Sequence, residues 1–328
     1  MYTVGMDVDR LVFTVKILLY AGNSYINSPL IFIMLGTIYL LFEGQSAGNL
    51  NSNLNAMAQI YTSFKNLPSI SEHVPIKKTL RDLNDEDFGY FLAGLIEADG
   101  WFGSKSLHIS FSRLDKPLAY AIKKRIGSGG VYPYSDDRLS DRYICNSIVG
   151  LKKIVSLING KLVSNLKYDQ LIFHKYSEIL DVRIVFPTNK VSLDNYWFSG
   201  FTQGDGCFYI GVCQSKSHKT GWRVTLEFSI KHVDKVPLEL LYSLLKLGNL
   251  SYYNAGIWCY KSSGYLTSYV LINYFDKFSL FSEKYTNYLK FRKVYIMITE
   301  GKHLSMEGIK KIKKKRVGGS SETRTQNI

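Results

Sequence analysis

Several things are scarce in this 328-residue chain. It holds 4 cysteines, Cys145, Cys207, Cys213 and Cys259, with no Cys-x-x-Cys pair among them. That is too few and too scattered for a disulfide scaffold or a thiolate zinc site, so reduced core thiols in a reducing compartment are expected. Acidic residues are outnumbered, 27 Asp+Glu against 41 Lys+Arg, which leaves a formal charge of +14. Such an excess points to a polyanion, nucleic acid or anionic lipid, without choosing between them. A membrane-length apolar run is missing too. Residues 30–42 (LIFIMLGTIYLLF) stop at 13, short of the roughly 18–20 that cross a bilayer. Lys16 and the polar stretch 23–27 separate that run from the apolar residues 11–20. No charged segment leads into a small-residue cleavage site, which argues against a secretory signal. Apolar residues, at 46%, and aromatics, at 14%, are plentiful enough for a real core, so wholesale disorder is excluded. The 24 tyrosines add apolar bodies with polar tips, suited to a polyanion surface.

Texture divides the chain. Residues 1–80 mix apolar patches with a Gly/Ser/Asn-rich stretch (QSAGNLNSNLN, 45–55) and read as a poorly folded or processed extension. Residues 81–300 alternate short strand-like and helical patterns without a low-complexity break. Six of the seven residues at 310–316 (KKIKKKR) are basic, and 304–328 reads as a basic, polar tail; the other +8 is spread over the rest of the chain, 14 − 6 = 8.

The body repeats itself. Residues 87–102 read DFGYFLAGLIEADGWF and residues 193–208 read LDNYWFSGFTQGDGCF, an offset of 106 with no gap. They share Tyr90/Tyr196, Gly94/Gly200, Asp99-Gly100/Asp205-Gly206 and Phe102/Phe208. Each is followed by an alternating strand pattern (107–113; 224–232), then Asp-Lys, a helical pattern closed by Gly127 or Gly248, a tyrosine-bearing strand, another strand-like run (143–149; 257–262) and more helix. The reading is two copies of an αββαββα unit, 81–183 and 195–303, joined by a linker at 184–194.

Within each repeated helix two small residues stand four apart, Gly94 with Ala98 and Gly200 with Gly204. Glycine in a helix costs up to about 1 kcal/mol, a cost that close packing against the other copy offsets. Asp99 and Asp205 then fall at the C-terminal ends, where the macrodipole is negative and a carboxylate is disfavoured by about 0.3–1 kcal/mol. Parallel packing also brings the two charges together. A divalent cation reverses both penalties, and oxygen-only ligands select Mg²⁺ over zinc, with the carbonyls of Ala98 and Gly204 available to complete the shell.

Residues 92–100 (LAGLIEADG) resemble, with one difference at Glu97, the signature of the LAGLIDADG homing endonucleases; residues 198–206 (FSGFTQGDG) are a diverged second copy that keeps Gly200, Asp205 and Gly206. The resemblance covers about residues 85–300 and fits the single-chain, two-motif type, similar to fungal mitochondrial group I intron-encoded endonucleases and maturases. It implies an α+β fold: two pseudo-symmetric αββαββα repeats forming a DNA-binding β-saddle, with the two motif helices packed at the interface. It implies a monomer with an internal pseudo-two-fold axis. It also implies that Asp99 and Asp205 hold metal ions that activate water for attack on each strand of double-stranded DNA. The basic position after the strand falls on Arg113 and His232. A second basic residue opening the last helix of each repeat falls on Lys284 in SLFSEK, and on Lys167 in KLVSNLK, one step later than the pattern, with Leu166 at the matching position.

Strand alternation gives outward candidates for DNA contact: Lys105, His108, Arg113 and Arg138 in the first repeat, and Tyr209, Gln214, Lys216, Arg223 and Lys231 in the second. The function implied is a site-specific, Mg²⁺-dependent endonuclease of the mitochondrion that cuts an intronless target and so spreads its intron, with no small-molecule substrate. The alternative is a maturase that holds group I intron RNA on the same basic surface; retention of both acids favours cleavage.

Overall fold

Asn84 starts the first motif helix, α1 (Asp85–Asp99): its side chain accepts from the Asp87 N–H at 2.7 Å, and Asp85, Glu86 and Asp87 sit at the positive end of the dipole. In the computed structural model, which describes residues 69–134, 140–253 and 256–316, the chain turns straight from α1 into β1 (Gly100–Gly103) and β2 (Ser106–Ser112). A 3₁₀ turn (Arg113–Asp115) leads to α2 (Lys116–Ile126), β3 (Gly130–Pro133), β4 (Ser140–Cys145), α3 (Ile148–Ile158), α4 (Asn165–Phe173) and α5 (Tyr176–Leu180). The second copy follows the same order: α6 (Trp197–Asp205), β5 (Gly206–Gln214), β6 (Trp222–His232), α7 (Lys235–Leu245), β7 (Asn249–Tyr252), β8 (Trp258–Ser262), α8 (Tyr265–Lys277) and α9 (Ser282–Thr299). The expected αββαββα duplication is therefore present. The strands form two four-stranded sheets ordered β1-β2-β4-β3 and β5-β6-β8-β7, the same topology twice.

One face of each sheet is apolar. Leu107, Ile109 and Phe111 of β2 face the helices with Tyr143 and Cys145 of β4; in the second repeat Phe208, Ile210, Leu226, Phe228, Ile230 and Tyr260 do the same. Phe208, Phe228, Phe275, Tyr288 and Phe291 form an edge-on and tilted aromatic cluster that fixes α8 and α9 against β5 and β6. Between β5 and β6 the chain closes a loop in which the Ser215 N–H donates to the Gly221 carbonyl at 2.9 Å and Ser215 Oγ lies 2.8 Å from His218 Nδ1.

Several sequence expectations shift. The run read as a strand over 143–149 ends at Cys145, because Ser147 caps α3 through the Gly150 N–H at 3.0 Å. Gly127 does close α2, in the left-handed conformation, whereas α7 stops earlier at a left-handed Lys246, before Gly248. The tail is not uniformly polar: Met306–Lys313 forms a helix, α10, whose Ile309 and Ile312 are buried while Lys310 and Lys311 stay exposed. Of the extension read at 1–80, residues 69–80 are held down, with Leu80 buried and Arg292 Nη2 donating to the carbonyls of Ser71 (2.9 Å) and His73 (3.1 Å). Residues 1–68, Arg138 and residues 317–328 lie outside the described residues. Among the described residues no helix is long and apolar enough to cross a membrane.

Candidate active site

The two motif helices lie parallel and in direct backbone contact, which only their small residues permit. A methyl group at Gly94 would overlap the Trp197 carbonyl oxygen and stand 2.7 Å from the Phe201 nitrogen; one at Gly200 would overlap the Phe91 carbonyl oxygen and stand 2.9 Å from the Leu95 nitrogen. Phe91 and Trp197 are equivalent positions, so the contact is reciprocal about the pseudo-two-fold. One turn on, Gly204 admits the other helix again: an added methyl would lie 2.6 Å from Ala98 Cβ and 2.7 Å from Asp99 Oδ2.

That approach delivers the two last residues, Asp99 and Asp205, to one site. Both are half-buried. Burial, and then the charge of Asp205, push the Asp99 carboxyl up to about 7, against the opposing pull of Lys284, His232 and Lys167. Asp205 Oδ2 is bonded to His232 Nδ1 at 2.8 Å, whereas no protein donor reaches Asp99 among the described residues.

Two lysines flank the pair in matching places. Lys284 Nζ donates to the carbonyls of Gly206 (2.5 Å) and Gly204 (3.3 Å), and Lys167 Nζ donates to the carbonyl of Gly100 at 2.7 Å. The one-residue slip of Lys167 in sequence is therefore absorbed by the local backbone: each ammonium reaches the glycine that follows its own aspartate. Burial lowers the Lys167 pKa from its ordinary value. Arg113, in contrast, is exposed in the 3₁₀ turn and its guanidinium makes no hydrogen bond or ion pair among the described residues, while its counterpart His232 is buried against Asp205.

The segments that carry these lysines are held by buried polar side chains outside the expected catalytic set. Glu97 accepts from the N–H groups of Val163 (3.0 Å) and Ser164 (2.7 Å), at the start of α4, and from Trp197 Nε1 of the other repeat at 2.6 Å. Its burial raises the carboxyl to about 7. Gln203, its equivalent, accepts from Phe281 N–H at 2.9 Å at the start of α9. Asp115 Oδ1 accepts from the Glu283 N–H at 3.1 Å, so the first repeat caps the helix that carries Lys284. A cavity of about 160 Å³ opens beside Asp99, walled by Ser112, Asp115, Gly204 and Lys284, with room for several waters.

The donor set fits a hard divalent cation. The facing atoms are carboxylate oxygens, one carboxyl is unsatisfied by protein donors among the described residues, and the charge of Asp205 still bears on Asp99 beside three basic side chains. Among the described residues no three His, Cys, Asp or Glu side chains converge as a closed cage, so a cation here takes its other ligands from backbone carbonyls, water and substrate. Of the two carbonyls expected to help, that of Gly204 already accepts from Lys284.

Arg223 and Lys231 of β6 are exposed, His108 of β2 and Tyr209 of β5 are half-buried at solvent-side positions, and Lys105 is exposed in the turn between β1 and β2. Lys231 lies over the Tyr253 ring at 4.2 Å. Lys216 is exposed in loop 214–222. Gln214 has the parity of the core residues Ile210 and Val212, and is exposed only because β5 ends there. Arg142, opposite Ser110 on β4, is an outward cation the sequence reading omitted; its guanidinium lies over Tyr134 at 5.1 Å.

A duplicated αββαββα unit with paired helix-end carboxylates and flanking lysines defines a class of two-repeat proteins built about a shared helix pair. Residues 198–295 match the family model described as LAGLIDADG endonuclease. A 37.2 kDa protein of cox1 intron 2 in Schizosaccharomyces pombe is 34% identical over 325 residues, covering 90% of this chain and 95% of the relative. The chain belongs to the LAGLIDADG family. A "Probable intron-encoded endonuclease 4" of Neurospora crassa is 27% identical over 244 residues, or 69% of this chain; the chain spans only 43% of that relative's length. The solved LAGLIDADG meganuclease I-AabMI, bound to uncleaved DNA, superposes with a TM-score of 0.58 at 21% identity over 70% of this chain and 97% of that one, which places the fold.

Proposed function

We propose that the protein is a site-specific homing endonuclease that hydrolyses one phosphodiester bond in each strand of a duplex at an intronless target, with Mg²⁺ as its working cation. The observation that carries this reading is the delivery of Asp99 and Asp205 to one half-buried site by helices that touch through glycine. Asp99 and Asp205 would hold the cation with help from the Ala98 carbonyl, the Gly204 carbonyl being taken by Lys284. Bound there, the metal supplies Lewis acidity toward the phosphate and the attacking water, and steadies the leaving oxygen.

The chain's own groups do the rest. Lys167 and Lys284, pinned on Gly100 and Gly206, keep an ammonium beside each scissile phosphate, where negative charge grows in the transition state. His232 donates Nδ1–H to Asp205, which leaves Nε2 as the acceptor able to take a proton from water. Arg113 gives the first repeat no such group, so the two strands are cut at unequal rates. Lys105, His108, Tyr209, Arg223 and Lys231, with Arg142 added, are assigned to the DNA face. The introns named in its relatives favour a mitochondrial location. Similarity to the RNA maturase bI4 of Saccharomyces cerevisiae, 30% over 124 residues, supports a second role in holding group I intron RNA, though the chain spans 19% of that protein.

The test is incubation of purified protein with Mg²⁺ and a duplex that joins the two flanks of its intron. Linear product with a fixed stagger is expected. Intact duplex at every salt concentration, with rescue of intron splicing instead, would assign the maturase role.

A further inference from the structure

The saddle floor beside the acids is not symmetric. Trp101, two residues after Asp99, stands where the second repeat has Cys207. Its side chain points to the outward face of β1 and is 50% exposed, beside the proposed cleavage site.

The indole is held, not merely exposed. Its cross-strand partner is His108, and the two rings pack at 4.9 Å with a 51° tilt. His108 Nε2 is itself bonded to Ser106 Oγ at 3.0 Å. Along the strand, the indole lies over Gly103: a methyl group there would stand 3.1 Å and 3.4 Å from two of its ring carbons. The ring therefore lies down on the sheet, with Gly103 beneath it and His108 at its side. Ile144, opposite His108 on β4, continues the row across three strands and adds an aliphatic side chain beyond the two rings. On an otherwise polar outward face this is a built apolar platform, and burial of a large indole strongly favours a partner that covers it.

Resting on the reading that this face binds duplex DNA, we propose that Trp101 is a specificity-determining contact that receives the 5-methyl group of a thymine. That thymine lies in the half-site of the first repeat, at the base pairs beside the cleaved phosphates. The thymine methyl is the one apolar group that a base edge offers in the major groove. Trp101 is two residues beyond Asp99, a chain reach of at most about 7 Å, which keeps it near the cut. Cys207 offers a small thiol at the matching place, so the second half-site carries no such preference, and the target is asymmetric there.

The experiment is selection of a randomised duplex library on the full-length protein with Ca²⁺ present, for wild type and Trp101→Ala. Wild type is expected to select one site with thymine at a position next to the centre of the first half. Trp101→Ala is expected to flatten the preference at that position alone. With wild type, replacing that thymine by uracil is expected to weaken binding about fourfold, the effect of one buried methyl group; this arm does not depend on the variant folding. A wild-type profile without thymine there, equal affinity for thymine and uracil, or an unchanged Trp101→Ala profile would overturn the inference. If wild type selects no duplex at all, the DNA-binding reading falls first.

Discussion

Gly94→Ala is the sharpest structural test of the helix pair. In an isolated helix, alanine would be favoured over glycine by about 1 kcal/mol. At this interface the added methyl meets backbone: it overlaps the Trp197 carbonyl oxygen and falls 2.7 Å from the Phe201 nitrogen. Backbone atoms of a packed helix cannot swing aside as a side chain can, so the two helices must part by on the order of 1 Å. Phe91, Trp197 and Phe201, all buried at this seam, lose part of their packing together. Overpacking of this kind costs about 3 kcal/mol net of the gain in propensity. In a domain of this size that lowers Tm by about 6–12 °C, taking 2–4 °C per kcal/mol. Thermal unfolding followed by circular dichroism, with calorimetry to check two-state behaviour, measures it. Gly200→Ala is expected to match it, since its methyl meets Phe91 and Leu95 in the reciprocal way, and the double variant to cost less than the sum because both part the same seam. A Gly94→Ala protein as stable as wild type, or more stable, would refute the close-contact reasoning.

Other consequences follow from the charges around that seam. Asp99 and Glu97 titrate near 7 in the folded chain and near 4 when unfolded. The folded state therefore binds more protons between those values, and its stability, whole below about pH 4, is lost as pH rises towards 7 by up to about 1.4 kcal/mol per unit for each carboxyl. Melting in chelator should show this slope, and Asp99→Asn should reduce it and raise Tm at pH 8. Lys284→Met is expected to slow single-turnover cleavage by about 10²–10³-fold with little change in DNA affinity, as read by quenched-flow and filter binding. Arg292, buried against Asp276 and the carbonyls of Ser71 and His73, should cost about 3 kcal/mol when changed to Ala, and limited proteolysis should then cut near residue 73.

The duplication, the paired aspartates and the lysines of the last helices were legible because each repeats at a fixed offset and sits at a helix end with its own local signature. The one-residue slip at Lys167 was legible too, but not its outcome, since the backbone path before α4 decides where the ammonium lands. What clamps the lysines was hidden. Asp115 meets Glu283 across 168 residues, and Glu97 meets Trp197 across 100, contacts with no local periodicity to reveal them. Gln214 has the inward parity of Ile210 and Val212, so its exposure comes from its place at the end of β5, which alternation alone does not show. In α10 the Ile309/Ile312 stripe was masked by the lysines around it.

The most direct test of the central claim is strand-specific cleavage of the joined-flank duplex by wild type, Asp99→Asn and Asp205→Asn in Mg²⁺, with folding confirmed by circular dichroism. The account predicts a staggered double-strand cut by wild type and no double-strand product from either variant. Full double-strand cleavage by a folded protein lacking either carboxylate would contradict it.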